Sequence, residues 1–210
     1  MNTSLRKKGV DMKKIAILFL LLVSIISYSK TFKIDPVHSH VGFKVKYLTL
    51  TSVQGRFDAF TGRVSMENGE ISEINGEISV SSINTNNSKR DNHLKSSDFF
   101  NLELYPKILF QSSQVVKDGD QYVVLGVLEI HGIRRNVSIP FNATPTIKEA
   151  KGNERMGLVG HLKINRKNFG LSYSKKLDNG GLVVDDYVDI ELNVQVVEEE
   201  IVNEQTNKVI

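Results

Sequence analysis

The chain has no cysteine, no tryptophan and only four prolines in 210 residues. Without cysteine there is no disulfide framework, no thiolate metal site and no thiol nucleophile, so the packed core alone must hold the fold. The absence of tryptophan argues against an immunoglobulin-like sandwich, whose core usually contains one. A glycine-rich phosphate loop, an HExxH zinc motif and a GxSxG nucleophile motif are also missing. The sequence therefore offers no familiar catalytic or metal-binding motif.

The first 29 residues have the pattern of a secretory signal peptide. Basic residues between positions 6 and 14 precede an apolar run at 15–23, and Ser27-Tyr28-Ser29 supplies the small residues of a cleavage site. The apolar stretch of roughly 12 residues is shorter than the about 20 that a membrane-spanning helix needs. No cysteine follows it, which excludes a lipid-anchored lipoprotein. We therefore expect removal of residues 1–29 and a periplasmic or secreted location.

The signal segment also carries the positive charge of the chain. The whole chain has a net charge of +3, while residues 1–29 hold five basic side chains against one acidic side chain. The remaining protein is therefore close to neutral, and a basic surface for nucleic acid loses its support. No nucleic-acid partner is expected.

The rest of the sequence alternates apolar and polar residues with a period of two. In residues 188–196, for example, every second residue is Val, Ile or Leu. Strands with one buried face and one wet face are typical of antiparallel sheets. Turn signals such as Asn68-Gly69 and His131-Gly132 separate the runs. The pattern predicts about eight strands, near residues 37–48, 52–67, 70–83, 107–117, 121–131, 134–148, 155–165 and 183–197.

Long strands joined by turns favour an up-and-down barrel, because closure removes the exposed sheet edges. Two segments break the β pattern: residues 84–105, which predict one or two short helical segments, and residues 166–182. Insertions of this length often form lids or binding loops. Because we find no internal repeat and no linker, residues 30–197 are expected to form one all-β domain. Residues 198–210 lose the periodicity and are expected to be a disordered tail.

The predicted interior is rich in phenylalanine. An eight-stranded barrel can fill its interior with side chains or hold one small ligand. Inward-facing Gly76, Gly160 and Ser112 leave room between the phenylalanines. The composition therefore favours a cavity for an apolar molecule.

Three polar residues in the first irregular segment are candidates for contact with a ligand headgroup. Arg90, Asp91 and His93 are spaced so that they could converge as a polar cluster. The alternative is an ion pair and helix cap that only fix this connection.

Two other polar features stay open at this point. Arg166-Lys167, like Arg134-Arg135, is either part of a polar rim or a pair of solvated charges. His38 and His40 are spaced like two metal ligands on one strand face, but they lie opposite the apolar face and no third ligand is evident. No metal site is predicted.

Ordered motifs along the mature chain resemble a known family. They are IDPVHS at 34–39, GRF at 55–57, NSKRDNHLKSSDFF at 87–100 with YPKI at 105–108, LEIHGIRR at 128–135 and NRKNFGL at 165–171. Together they are similar to the YceI-like domain of bacterial periplasmic or secreted proteins. The match departs at 180–186, where many relatives have a shorter Gly-Asp-Glu segment before the last strand.

The resemblance implies an eight-stranded antiparallel, extended lipocalin-like barrel. It also implies an exported, non-catalytic carrier or store for a long-chain apolar lipid, such as a polyisoprenoid, an isoprenoid quinone or a fatty amide. No cofactor is expected beyond this bound isoprenoid or acyl lipid. A transient contact with the membrane or with an envelope protein is left open, and so is a homodimer.

The same resemblance and the strand phase together suggest the site residues. The expected ligand-binding residues are Phe43, Val45, Tyr47, Phe57, Ile78, Phe99, Phe100, Phe110, Phe141, Leu162, Phe169 and Ile190. The expected headgroup contacts are Arg90, Asp91 and His93. No catalytic or metal-binding residue is assigned.

Two other function classes remain as alternatives. One is a protein-interaction module at the cell envelope. The other is a barrel enzyme in which His93 and Asp91 perform acid–base chemistry on a bound small molecule, although the sequence offers no nucleophile for it.

Overall fold

The computed structural model describes residues 28–48, 50–150, 152–174 and 183–199. Residues 1–27 of the predicted signal peptide and residues 200–210 of the predicted tail lie outside the described residues. The strands are β1 Ser29–Ile34, β2 His40–Tyr47, β3 Thr51–Phe57, β4 Phe60–Glu67, β5 Glu70–Ser79, β6 Ile83–Asn84, β7 Lys107–Asp118, β8 Gln121–Ile130, β9 Ile133–Ala143, β10 Ile147–Lys148, β11 Glu154–Asn165 and β12 Val184–Glu198.

The helical segments in this part of the chain are short. They are α1 Ser88–Lys95 and the 3-10 turns Pro36–His38, Val80–Ser82 and Arg166–Phe169. Asn87 begins α1 by accepting a hydrogen bond from the Arg90 N–H, as an N-cap does. No helix among the described residues is long and apolar enough to cross a membrane.

Eight of the strands form a closed antiparallel ring. Their order is β1, β4, β5, β7, β8, β9, β11 and β12, and β12 pairs again with β1. The pairing of β11 with β12 runs without interruption from Arg155↔Val197 to Asn165↔Tyr187. The predicted eight-stranded antiparallel barrel is confirmed.

Several predicted strands are interrupted, which raises the number of separate strands to twelve in the described residues. In addition, β1 at Ser29–Ile34 precedes the first predicted strand, 37–48, which corresponds to β2. Asp35 accepts the Val37 N–H and Pro36 has no N–H to give, so the chain makes a 3-10 turn before β2. Both β1 and β2 lie along the same edge of β12. The predicted strand 52–67 likewise divides into β3 and β4.

The two turn signals of the sequence form tight hairpins. Asn68-Gly69 joins β4 to β5, and His131-Gly132 joins β8 to β9. All four residues have positive φ, which is the backbone that a two-residue type I′ turn needs.

The core divides into two apolar clusters along the barrel axis. The first surrounds Phe32, Val64 and Val196 at the end of the β4–β5 turn, which we call the closed end. Here the Tyr122 hydroxyl donates a hydrogen bond of 2.8 Å to the Glu70 carboxylate. The second cluster gathers at the opposite end, which we call the mouth, where α1 and the 3-10 turn Arg166–Phe169 pack on the strands.

Candidate functional site

A cavity of about 270 Å³ occupies the interior of the barrel. Its walls are almost entirely apolar. The side chains that form them come from the strands of the ring, from β2, β3 and β6 beside the ring, and from α1 and the residues around it at the mouth. Phe43, Ile78, Phe110 and Ile190 line it and are only partly buried, although they face inward. Their accessible surface faces the cavity, so an apolar ligand placed there would complete their burial.

Most of the residues predicted to bind ligand line this cavity. They are Phe43, Val45, Phe57, Ile78, Phe99, Phe100, Phe110, Phe141, Leu162 and Ile190. Tyr47 and Phe169 do not line it. Tyr47 lies at the mouth end of β2, past the cavity, and Phe169 is buried in the core cluster of the mouth. Direct contact of any of these side chains with a ligand stays a prediction.

Glycines in the strands create the space. The ring of Phe43 lies where a side chain at Gly55 would be, and the ring of Phe110 does the same at Gly126. Both rings therefore rest against the wall, where a neighbouring strand has no side chain. At Gly76 a Cβ atom would meet only the carbonyl oxygen of Thr61, at 3.9 Å. Gly76 lines the cavity, so its missing side chain leaves space open.

The predicted polar cluster of Arg90, Asp91 and His93 does not converge. Arg90 and Asp91 both bind Thr85: the Arg90 Nε donates to the Thr85 hydroxyl at 2.7 Å, and the Thr85 N–H donates to Asp91 at 2.9 Å. His93 instead pairs with Asp98 at 2.9 Å. The reason is helical geometry, because Asp91 and His93 are two residues apart in α1 and point to different sides of it.

His93 belongs to an aromatic cluster at the mouth. Its ring meets Phe99 and Tyr173 edge to face, with centroid distances of 5.1 and 4.9 Å. Phe99 also contacts Tyr173 at 4.9 Å. These contacts join the α1 segment to residues 171–174, which belong to the second irregular segment of the chain. His93 and Asp98 themselves are not among the cavity-lining residues.

The sequence left open whether Arg166 is part of a polar rim or a solvated charge. Arg166 lines the cavity at the mouth and is only 3% exposed. Its guanidinium donates to the carbonyl oxygens of Leu171, Tyr173 and Asp185, so it ties together the chain on both sides of residues 175–182. Burial lowers the pKa of Arg166, and the carboxylate of Asp186 works against that lowering.

A signal for Arg166 exists in the strand phase. Leu162 and Ile164 are alternate inward residues of β11, and Arg166 is the next position in that series. The alternation therefore points an arginine inward at the mouth. Lys167, by contrast, is exposed and pairs with Asp186 at 2.8 Å.

Charged side chains also hold the closed end, away from the cavity. Asp35 accepts hydrogen bonds from His38 at 2.9 Å and from Arg155 at 2.7 Å. These two partners lower the pKa of Asp35 to about 2. The prediction that His38 and His40 share one strand face is wrong, because His38 lies in the 3-10 turn and only His40 is in β2. No group of three potential metal ligands occurs among the described residues.

The YceI-like domain family matches residues 32–196 of the chain. The chain belongs to the YceI-like family. The UPF0312 protein SA2479 of Staphylococcus aureus is 32% identical over 168 residues, which cover 78% of this chain and 95% of that protein. The UPF0312 protein plu2095 of Photorhabdus laumondii is 33% identical over 154 residues, covering 71% of this chain and 80% of the relative.

Solved structures of the same fold extend the comparison. A YceI protein of Campylobacter jejuni has 26% identity and a TM-score of 0.65, covering 74% of this chain and 90% of its own. BcnA of Burkholderia cenocepacia has 22% identity and a TM-score of 0.68, covering 77% and 98%. A polyisoprenoid binding domain from Saccharophagus degradans has 16% identity and a TM-score of 0.60, covering 80% and 98%. The last two share the fold.

Proposed function

We propose that this YceI-family protein is an exported, non-catalytic carrier or store that holds the tail of a long-chain lipid inside its barrel. The observation that carries the proposal is the apolar cavity within a closed ring of strands. Moving an apolar tail from water into such a cavity is favourable by roughly 25 cal/mol per Å² of apolar surface. The polyisoprenoid binding domain from Saccharophagus degradans, which shares the fold, supports an isoprenoid tail as the ligand.

Two further observations favour binding over acid–base catalysis. Among the described residues, the charged side chains of the cavity lining are Glu77 and Arg166, and they pair with Lys107 and Asp186 and not with each other. His93 and Asp98 form their ion pair outside the lining, with both side chains more than a third exposed. The buried guanidinium of Arg166 donates hydrogen bonds to three backbone carbonyls. A proton transfer needs a group within hydrogen-bond reach of the substrate.

Export is the part of the proposal that rests on the sequence of residues 1–29. Expression in a bacterial host with an export pathway should release a protein that begins at Lys30, as intact mass shows. A chain that keeps residues 1–29 would contradict cleavage of the signal peptide.

Native mass spectrometry of gently purified protein tests lipid binding. We expect a co-purifying lipid on the unchanged protein and its loss from Gly76→Leu, because the added side chain enters the space that Gly76 leaves open. Gln111→Leu is the matched control, since Gln111 is exposed on β7, beside β5, and should leave the lipid in place. A protein without extractable lipid, or equal loading of both variants, would overturn the proposal.

A further inference from the structure

The apolar face of β2 continues beyond the cavity to the outside of the barrel. Phe43 and Val45 line the cavity, and Tyr47 is the next residue on the same face, since side chains alternate along a strand. Tyr47 is 39% exposed, and Leu50, at the tip of the β2–β3 hairpin, is 82% exposed. One strand thus carries apolar side chains from the cavity wall to the water.

This hairpin tip lies beside the cavity opening. Tyr47 pairs with Val184, a cavity-lining residue of β12, and the Leu48 N–H donates to the Val183 carbonyl at 2.9 Å. Tyr187, farther along β12, is 53% exposed. Tyr47, Leu50 and Tyr187 are therefore exposed side chains at the mouth ends of the β2–β3 hairpin and of β12, and we call these three residues the rim.

Two unpaired lysines accompany this rim. Lys44 and Lys46 alternate with Phe43, Val45 and Tyr47 along β2 and are both exposed. Neither forms an ion pair with any carboxylate among the described residues, whereas other lysines at the mouth, Lys163 and Lys167, are paired with Asp189 and Asp186. The hairpin thus combines free positive charge with exposed apolar and tyrosine side chains.

We propose that the rim of Tyr47, Leu50 and Tyr187, flanked by Lys44 and Lys46, docks on the surface of an anionic phospholipid bilayer. Exposed apolar and aromatic side chains bordered by lysine are the composition of surfaces that insert into the interface of such a bilayer. The inference rests on the proposed lipid-carrier function. Docking there would place the apolar face of β2 between the bilayer and the cavity, as a path along which a lipid tail moves.

A single tryptophan placed at the rim tests the contact directly. The chain has no tryptophan, so Leu50→Trp in the full chain reports on the surroundings of that position alone. On vesicles of one part phosphatidylglycerol to three parts phosphatidylethanolamine, we expect its emission to shift to the blue and brominated lipid to quench it. Ile147→Trp is the matched control, because Ile147 is 65% exposed at the closed end, and it should show neither change.

The remaining parts of the experiment change single lysines and measure the bound lipid. In the Leu50→Trp protein, Lys46→Gln should weaken vesicle binding about fivefold, as expected for one charge near an anionic surface, and Lys33→Gln on β1 should not. If vesicles shifted the emission of the Leu50→Trp and Ile147→Trp proteins equally, docking by this rim would be overturned. It would also be overturned if another protein that accepts the lipid shifted the Leu50→Trp emission and vesicles did not. Native mass spectra of the same samples report bound lipid separately, so a failure of the carrier function is distinguishable.

Discussion

The ring of Phe43 on β2 fills the place that a side chain of Gly55 would take on β3. The two residues face each other across the pair of strands, so the aromatic ring lies flat along the wall. The space left in the cavity beside Phe43 therefore depends on the absence of a side chain at Gly55.

Substitution of Gly55 by valine should destabilise the protein. The added methyl groups compete with the Phe43 ring, and overpacking of this kind costs typically about 1–3 kcal/mol. Displacement of the ring into the cavity should also lower the amount of co-purifying lipid. Urea unfolding and native mass spectrometry measure the two effects.

A double substitution shows whether Phe43 is the cause. In a Phe43→Ala background, Gly55→Val should cost less than it does alone, by about 1 kcal/mol or more, since contacting residues couple by that amount. Costs that simply add would show that the ring does not occupy this space.

The ion pairs of Asp35 predict a pH dependence of stability. Its pKa is lowered to about 2 by His38 and Arg155, so the carboxylate stabilises the fold fully above its ordinary pKa of 3.8. That stabilisation, on the order of 1 kcal/mol after solvent screening, should be lost as the pH falls from about 4 to about 2. Asp35→Asn should therefore lower the urea midpoint at pH 7 and match the unchanged protein near pH 2. A constant difference between the two proteins across this pH range would refute the assignment.

Replacement of Arg166 by lysine should loosen the mouth. A lysine cannot serve the carbonyls of Leu171, Tyr173 and Asp185 together, and buried groups left unpaired cost roughly 2–4 kcal/mol. Hydrogen exchange should rise in residues 171–174 and 183–186, and bound lipid should leave faster.

The matched control is Arg134→Lys, because the Arg134 side chain is 64% exposed and its carboxylate partner, Glu129, is 3.9 Å away. This change should stay within about 0.5 kcal/mol of the unchanged protein. Equal effects of the two substitutions would mean that Arg166 does not hold the mouth.

Removal of the His93 ring should weaken the join between α1 and residues 171–174. Edge-to-face ring pairs contribute about 0.5–1.5 kcal/mol beyond their buried area. We therefore expect His93→Ala to lose about 1 kcal/mol of stability and to release lipid faster, while His161→Ala on the exposed face of β11 changes neither. If the lipid recovered from the unchanged protein were chemically converted and that from His93→Ala were not, acid–base catalysis would replace the carrier function.

The barrel was predictable because its signal is periodic. Alternation along strands such as β11 and β12 places apolar side chains inward whatever their partners are, and the Asn68-Gly69 and His131-Gly132 turns follow from backbone sterics. Most of the cavity lining follows from the same phase. The alternation does not show where the cavity ends, however. It therefore predicted Tyr47 among the ligand-binding residues of the interior, whereas Tyr47 lies at the rim.

The polar part of the mouth could not be derived in this way. Asp91 binds Thr85 and the His93 ring packs on Tyr173, and both of these partners lie outside the motif at 87–100, so spacing within the motif does not reveal them. The break at Asp35-Pro36 had a local signal in the proline, but the continuation of both pieces along β12 is a tertiary result. Arg166 had a readable signal in the phase of β11, yet its partners at Leu171 and Asp185 come from both sides of residues 175–182.

The position of β12 sets the order of assembly. Among the described strands β12 is the last in chain order, yet it pairs with β1 and β2, which are the first two, and with β11 just before it. Contacts between distant parts of a chain form slowly, and here the ring cannot close until β12 has paired with both β1 and β11. Until β12 has paired, the sheet is consequently open and encloses no cavity, so a space for lipid exists only once the ring has closed.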